Sequence, residues 1–383
     1  MCVSLLPFLK KYDILMAERT KRRDVNQSMK LIHCADLHLD SPMEANLSAE
    51  QAKERKNELL STFAELVRTA DKMQATAILI AGDLFDGVRV SKKTKTYVSE
   101  LIRSHPNVGF FYLAGNHDRG AEWLSEQERP HNLYTFDQGW RSYRLGENVT
   151  VTASEAPDVD TLTLDEHAVN ILLMHGQEYA GRTAASADHI ALGRMKNRYV
   201  DYLALGHLHD FRTIPLDGRG IACYSGCLEG RGFDECGEKG YVLLEIENGK
   251  LRHSFHPFSK RTLHTVECDV TGFQSQLDLE NRLLEAVAAI PSRDMVKAVL
   301  VGKAPAEAIK DTAHLESVLT DRFYFAKLKD ESRLQIDPEQ YRNDVSLKGE
   351  FVRRVMASSL RQEEKERVIA CGFRALSGEE VDL

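Results

Sequence analysis

The chain has 383 residues, of which 43% are hydrophobic and 28% charged, a length and composition typical of a globular protein with two domains. Its formal net charge of −8 argues against a nucleic-acid-binding protein that works through overall positive charge, although local basic patches stay compatible with it. No apolar run approaches the ~20 residues that cross a bilayer, and the seven scattered Cys argue against a disulfide framework, so we expect a cytoplasmic protein without membrane contact.

Residues 1–28 carry many charges and no strand pattern, and we expect a disordered or loosely docked extension there. The chain then alternates predicted strands and helices, at residues 30–35, 50–73, 77–81, 91–104 and 109–114. The second and third strands are unbroken apolar runs, which are typical of parallel strands buried on both faces. This order predicts an α/β fold whose ligands bind at the carboxyl ends of the strands.

The strands that follow are shorter and resemble a meander. We predict them at residues 149–153, 168–174, 201–205, 211–215, 220–225, 240–247 and 251–257. A second sheet accommodates them better than one extended open sheet. The expected fold of residues 29–260 is therefore a two-sheet β-sandwich flanked by helices.

Strands and helices alternate again further along the chain. We predict them at residues 263–270, 276–288, 296–301, 306–320 and 324–329. This order indicates a small α+β domain over residues 261–335, which we expect to cap the first domain. Two amphipathic helices are predicted at 351–360 and 363–375, within a C-terminal segment of 345–383.

Five short motifs carry ligand-type side chains, most of them directly after an apolar run. They read Asp36-Leu37-His38, Gly82-Asp83, Gly115-Asn116-His117-Asp118, His175-Gly176 and Gly206-His207-Leu208-His209. Carboxylate, imidazole and amide groups together suit first-row cations such as Mn²⁺, Fe²⁺ or Zn²⁺. Hydrolysis of a phosphate ester uses two such cations about 3.5–4 Å apart, and one carboxylate can bridge them. The motifs therefore predict a two-metal phosphoesterase site with the metal ligands Asp36, His38, Asp83, Asn116, His175, His207 and His209.

His117 is the one histidine of the five motifs that is not assigned as a metal ligand. Since its neighbour Asn116 is expected to face the metals, His117 should lie beside the substrate, where it can protonate a leaving alkoxide. Asp118 is expected to hold that imidazole in one orientation. Taken alone, Gly115-Asn116 could be a hairpin turn and Gly82-Asp83 a strand-end turn. The joint occurrence of all five motifs favours the metal site.

The order of the motifs resembles that of the calcineurin-like metallophosphoesterase superfamily over about residues 30–258. Residues 82–86, Gly-Asp-Leu-Phe-Asp, are similar to a motif of the SbcD-type DNA repair exonucleases, and residues 35–42 resemble the YhaO-type branch. The resemblance implies that His117 is the catalytic histidine. It also implies two divalent ions, with Mn²⁺ favoured and Fe²⁺ or Zn²⁺ as alternatives. One metal would be held by Asp36, His38, Asp83 and His209, and the other by Asp83, Asn116, His175 and His207.

The same resemblance implies a phosphodiesterase that acts on DNA as a repair exonuclease. Members of the family commonly carry a capping domain and bind a coiled-coil ATPase of the SbcC type through C-terminal helices. DNA and such an ATPase are therefore the expected partners, and assembly into a homodimer is left open. Contact with DNA would depend on local basic residues, with Arg119, Arg182, Arg231 and Lys239 as candidates.

Three other interpretations remain open at this point. The same site would serve a phosphodiesterase for a small substrate such as a cyclic nucleotide, or the fold could serve assembly without catalysis. In addition, Cys223, Cys227 and Cys236 could form half of a zinc knuckle, although no matching second pair follows.

Overall fold

The computed structural model describes residues 28–43, 47–120, 128–179, 188–305, 310–335 and 339–376. The chain divides into two compact units, Met1–Thr262 and Leu263–Leu383. Nearly all of the extension expected at 1–28 lies outside the described residues, and so does Arg182. None of the helices in the described part of the chain has both the length and the apolar character required to cross a bilayer.

The first unit contains fourteen strands and two α-helices among its described residues. In chain order they are β1 (Met29–Cys34), α1 (Ala49–Lys72), β2 (Ala77–Ala81), α2 (Lys92–Arg103), β3 (Gly109–Leu113), β4 (Leu133–Thr135), β5 (Arg141–Leu145), β6 (Val149–Ala153), β7 (Val169–His175), β8 (Gln177–Glu178), β9 (His189–Ile190), β10 (Tyr202–Gly206), β11 (Arg212–Pro215), β12 (Ile221–Tyr224), β13 (Gly240–Glu247) and β14 (Lys250–Pro257). Short 3₁₀ turns span Val159–Thr161 and Leu192–Arg194.

Twelve of these strands form two six-stranded sheets, with the orders β14-β13-β1-β2-β3-β4 and β11-β12-β10-β7-β6-β5. In the first sheet β1 to β4 run parallel, and β13 pairs antiparallel with both β1 and β14. In the second sheet β12, β10, β7 and β6 run parallel, with antiparallel strands at both edges. Because the central strands of each sheet are parallel, several of them have their carboxyl ends at the same edge of that sheet.

The two sheets enclose one apolar core, and the helices cover a second one. Leu31 of β1 packs between the sheets, whereas the next residue, Ile32, packs under the helices with Phe63 of α1 and Val98 of α2. This alternation follows from the two-residue period of a strand. The expected α/β fold, a two-sheet sandwich flanked by helices, is confirmed.

Helix α1 begins where its sequence predicts. The Ser48 hydroxyl accepts a hydrogen bond from the backbone N–H of Gln51, and the Gln51 side chain accepts one from the Ser48 N–H, which together form a capping box. Strands β4 and β5 were not predicted from the sequence. β4 has three residues at a sheet edge, and Arg141 and Arg144 interrupt the apolar pattern of β5.

The second unit contains the remaining elements. They are β15 (Leu263–Asp269), α3 (Gln276–Ala286), β16 (Met295–Val301), β17 (Lys303–Pro305), α4 (Thr312–Arg322), β18 (Phe325–Asp330), β19 (Arg333–Gln335), α5 (Leu347–Met356) and α6 (Gln362–Leu376). β15, β16 and β18 form a parallel sheet that shares an apolar core with α3 and α4. Helix α4 starts later than the predicted residue 306, because the Asp311 side chain caps it by accepting from the His314 N–H.

The two C-terminal helices pack against each other within the second unit. Val352 and Val355 of α5 are buried together with Ile369 and Phe373 of α6 and with Tyr341. Much of the apolar stripe in the sequence of these helices is therefore used inside their own unit.

Candidate metal centre

The five motifs meet at one edge of the sandwich, where strands of both sheets end. β1, β2 and β3 lead into Asp36, Asp83 and Asn116. β7 ends at His175, and β10 ends directly before His207. Because these strands are parallel within their sheets, their carboxyl ends carry the motif residues to a common place.

Potential ligand atoms converge there in three overlapping groups, each with its atoms within 4.8 Å of one another: Asp36, His38 and His209; His38, Asp83 and His117; and Asp36, Asp83 and His175. Asn116 joins them, since its Oδ1 lies 2.8 Å from His175 Nε2 and 3.3 Å from His207 Nδ1. The structure thus brings all seven predicted ligand residues into one cluster.

Asp83 lies between the two sets of ligands. Its Oδ2 is 3.3 Å from His175 Nε2 and 3.7 Å from His38 Nε2, while Oδ1 accepts a hydrogen bond of 2.9 Å from the His117 N–H. His38 Nε2 in turn lies 3.3 Å from His209 Nε2. One carboxylate therefore reaches imidazoles on both sides, which is the position that a bridging ligand needs. The oxygen and nitrogen donors fit a pair of first-row cations.

Four of the candidate ligands have backbone angles that L-residues rarely adopt. The φ values are +52° for Asp36, +43° for His38, +50° for Asp83 and +100° for His207. Such conformations cost on the order of 1–3 kcal/mol each and concentrate at functional sites. Hydrogen bonds hold them: Asp36 N–H donates to Gly82 O, His38 N–H to Asp83 O, and His207 N–H to the Asp36 carboxylate. The fold thus aims these side chains at the centre despite local strain.

Two glycines of the motifs are required by close packing around the ligands. A Cβ atom on Gly82 would lie 2.0 Å from His175 Nδ1, and one on Gly115 would lie 2.1 Å from Asp83 Oδ1. Both distances are far shorter than van der Waals contact. The Gly in each motif therefore allows the ligand on a neighbouring strand to approach.

Two further carboxylates hold the imidazoles from behind, and neither was predicted from the sequence. Asp86 Oδ1 lies 3.2 Å from Nδ1 of both His38 and His117. Glu235 Oε1 lies 2.7 Å from His209 Nδ1. These contacts leave Nε2 of His38 and His209 free to face the centre, the arrangement by which outer carboxylates orient metal-binding histidines.

Two of the basic side chains considered for DNA contact interact with the residues that surround the candidate ligands. Arg231 Nη2 donates to Glu235 Oε1 at 3.0 Å, and its Nη1 is 3.8 Å from Asp86 Oδ1. Lys239 is buried, and its Nζ donates to the backbone oxygen of His209 at 3.0 Å. Both side chains therefore support the ligand loops.

Burial and mutual contact shift the pKa values of these groups. Burial raises the pKa of Asp36 to about 7, although His175 opposes this effect. Burial lowers the pKa of His175, but Asp83 and Asp36 outweigh it and bring the pKa to about 9. Burial likewise opposes ionisation of Glu235, yet its hydrogen bond from His209 brings its pKa to about 2. The neighbouring carboxylates thus favour the protonated, positively charged form of His175. A bound metal cation would supply positive charge at the same place.

His117 and Asp118 differ sharply in exposure. The His117 side chain is 46% exposed, with Nδ1 at Asp86. Asp118 is buried and accepts hydrogen bonds from the backbone N–H groups of Phe85 and Gly115. The carboxylate placed to hold the His117 imidazole is therefore Asp86, and we correct the role expected of Asp118. Asp118 instead fixes the backbone of two motif loops, because its side chain points into the buried layer beneath them.

The alternative zinc site finds no support in the part of the chain that the structure describes. Cys223 and Cys227 are buried, and their thiols lie near the backbone oxygens of Tyr224 and His209. None of the metal-compatible groups among the described residues includes a cysteine.

The fold and the cluster suit a site for two metal ions. Residues 29–211 match the family model described as Calcineurin-like phosphoesterase. The described residues 29–43, 47–120, 128–179 and 188–211 within it include all seven predicted ligands and His117.

The chain is similar to the protein named Uncharacterized metallophosphoesterase YhaO of Bacillus subtilis (strain 168). The two are 24% identical over 298 residues, which covers 72% of each chain. Among solved structures, TT1561 of Thermus thermophilus is 13% identical with a TM-score of 0.40, and covers 60% of this chain and 99% of its own. A dimetal phosphatase from Danio rerio is 11% identical with a TM-score of 0.41, and covers 59% of this chain and 95% of its own.

Proposed function

We propose that the protein is a two-metal phosphodiesterase that acts on DNA as an exonuclease. The observation that carries the two-metal part is the position of Asp83, whose Oδ2 lies within 4 Å of the Nε2 atoms of both His38 and His175. A buried carboxylate between two sets of imidazoles suits a pair of cations better than a single one.

The ligands divide into two sets around Asp83. One cation would be held by Asp36, His38 and His209. The other would be held by Asn116, His175 and His207. Asp83 would contribute to both sets. When bound, two divalent ions, Mn²⁺ in this proposal, neutralise phosphate charge and activate water. The chain itself contributes a rigid cradle, because the hydrogen bonds of Asp86 and Glu235 prevent the imidazoles of His38 and His209 from turning away.

His117 is the residue that would assist the leaving group. Its imidazole is exposed at the rim of the cluster, and Asp86 accepts from Nδ1 when that nitrogen is protonated. This contact leaves Nε2 to donate a proton to a departing alkoxide oxygen. Protonation stabilises the leaving group most when its oxygen is strongly basic, as the deoxyribose oxygen of DNA is.

The choice of DNA is supported by the resemblance of residues 82–86 to the motif of DNA repair exonucleases. Among the four basic candidates, Arg119 remains available, since it is exposed and lies two residues after His117. We propose that it contacts a backbone phosphate of the substrate.

End-labelled duplex DNA incubated with Mn²⁺ or Mg²⁺ tests this proposal. We expect stepwise shortening with Mn²⁺ from the wild-type protein and none from Asp83→Asn. Rapid cleavage of a cyclic nucleotide without any cleavage of DNA would instead favour the small-substrate alternative. Less than about one cation per chain after Mn²⁺ supplementation would favour the other alternative, in which the fold serves assembly without catalysis.

We also propose that the C-terminal helices dock a coiled-coil ATPase of the SbcC type. Because the apolar residues between the helices are occupied, the docking surface would be the outer apolar side chains, Leu360 at 41% and Val368 at 38% exposure. Leu360→Asp combined with Val368→Asp should abolish co-elution with a purified ATPase of this type. It should leave the cleavage of a small diester unchanged. Unaltered co-elution would contradict this docking surface.

A further inference from the structure

A cavity of about 380 Å³ lies directly beside the candidate metal centre, within the first unit. His175 forms part of its wall, so a single side chain belongs both to the cluster and to the cavity. The rest of the wall comes from the end of β3, the loop after β6, and the segment from β9 into the second 3₁₀ turn. A substrate with its phosphate at the cluster would have its adjoining group at this cavity.

The wall combines an apolar surface with a few polar groups. Its apolar part includes the buried side chains of Met174, Ile190 and Met195. Glu155 and Arg194 also line it. Cavities of roughly 300–1,000 Å³ with this mixture typically hold small organic ligands. A charged phosphate group alone would not use the apolar surface.

His189 brings an imidazole ring to this wall. The ring stacks on Tyr179 at 5.1 Å between centroids with an interplanar angle of 3°. A ring held in this way offers a flat ligand an aromatic neighbour.

The charged side chains in the wall are those of Arg119, Arg194 and Glu155. Arg194 is paired with Asp160 at 2.7 Å, and the charge of Arg119 acts on the Glu155 carboxyl group, so the charges of the wall are largely compensated. Arg194 is thereby held in place, and a fixed guanidinium can stack on a planar ring. An uncharged, flat heteroaromatic group with polar edges matches this wall best.

We propose that the cavity is a nucleoside subsite, in which the base next to the scissile phosphate packs beside Met174 and the imidazole of His189. The inference deepens the proposed phosphodiesterase function and rests on it. It predicts that the enzyme prefers nucleoside esters to simple alkyl esters with the same leaving group. The metal centre would then determine the reaction, and the cavity would select the substrate.

Ala156 offers a way to fill the cavity without disturbing the core. It lines the cavity and is exposed, so Ala156→Trp places an indole over the space where a base would lie. Ala289→Trp, at an exposed position of the second unit, is the matched control. His189→Phe keeps an aromatic ring for Tyr179 and removes both ring nitrogens. Circular dichroism establishes that each variant is folded.

The first measurement is equilibrium dialysis of thymidine 5′-monophosphate against the protein in EDTA. We expect Ala156→Trp to raise the Kd at least about tenfold, His189→Phe to raise it less, and Ala289→Trp to leave it unchanged. Absence of binding to the wild-type protein, or equal Kd values for the wild type and Ala156→Trp, would overturn the subsite.

The second measurement compares thymidine 5′-(p-nitrophenyl phosphate) with methyl p-nitrophenyl phosphate in the presence of Mn²⁺. The ratio of their kcat/KM values should exceed one in the wild type and fall at least about tenfold in Ala156→Trp. An unchanged ratio would overturn the subsite while leaving the phosphodiesterase function intact. If neither ester is hydrolysed, the phosphodiesterase function fails, and the dialysis still decides whether the cavity binds a nucleotide.

Discussion

The Nε2 atoms of His38 and His209 lie 3.3 Å apart, although the two residues stand 171 positions apart in the chain. Each imidazole is held at its Nδ1 by a carboxylate, Asp86 for His38 and Glu235 for His209. The two nitrogens that face each other are therefore the ones left for a common ligand. A shared cation explains why the fold places two ring nitrogens so close, and the predictions below test that interpretation.

Asp83→Asn should lower bound metal and phosphodiesterase activity together. Asn fits the positive φ of this position, so the backbone should be retained, but the charge shared between His38 and His175 is lost. We expect Mn²⁺ per chain, measured by plasma mass spectrometry after dialysis, to fall by at least one ion. Diester hydrolysis should become undetectable. Full Mn²⁺ occupancy in the variant would contradict the bridging role.

His117→Ala should retain both metals and still lose rate. The variant keeps the backbone N–H that donates to Asp83 and removes only the exposed imidazole. Loss of a general acid typically costs about 10²–10⁴-fold. The loss should be large for DNA and small for a p-nitrophenyl ester, because p-nitrophenolate needs little protonation. His167→Ala, at another exposed imidazole, serves as the control. An equal loss for both substrates would point to phosphate positioning instead.

Glu235→Ala should weaken metal binding without removing a ligand. Glu235 holds His209 at 2.7 Å and is itself held by Arg231 at 3.0 Å, so its loss frees the imidazole to rotate. Removal of such an outer partner typically weakens metal affinity by about 10–100-fold. Competition with a fluorescent chelator measures the change in Mn²⁺ affinity. Glu238→Ala changes a nearby exposed carboxylate and should leave the affinity unaltered.

The ligands could be predicted from the sequence because most of the motifs directly follow an apolar run that reads as a strand. Parallel strands carry their ends to one edge, so Asp36, Asp83 and Asn116 could be placed together without coordinates. Glu235 has no such signal, since it lies in a loop 26 positions after His209 and reaches it only through tertiary folding. Asp118 shows the opposite failure: adjacency to His117 suggested a contact, but the chain turns its carboxylate towards backbone N–H groups.

The cavity could not have been predicted for the same reason. Its wall is assembled from four separate segments, and Ala156 or Met195 carries no pattern in the sequence that distinguishes it from any other small or apolar residue. Only the packing of the loops around His175 brings these positions together. Motif spacing therefore indicates the reaction, whereas the residues that select a substrate depend on the folded surface.

His33 provides a test of the sandwich core that is independent of the metal centre. It lies fully buried, with Nδ1 2.9 Å from the Tyr202 hydroxyl, and burial lowers its pKa to about 3. Between pH 6.5 and about 3 the unfolded chain therefore binds a proton at this residue and the native protein does not. Stability from this group is complete above pH 6.5 and declines as the pH falls.

The consequence is a steeper acid destabilisation of the wild type than of His33→Asn, which cannot titrate. The free energy of unfolding of the wild type, relative to that of His33→Asn, should fall by up to about 1.4 kcal/mol for each unit of decreasing pH. This is the free energy that corresponds to one unit of pKa shift. Urea unfolding of both proteins in EDTA, from about pH 7.5 to about pH 4.5, measures it, and the subtraction cancels the other titrating groups. Parallel pH profiles for the two proteins would mean that His33 becomes protonated within the native core, and that the packing between the two sheets is looser than the contact with Tyr202 indicates.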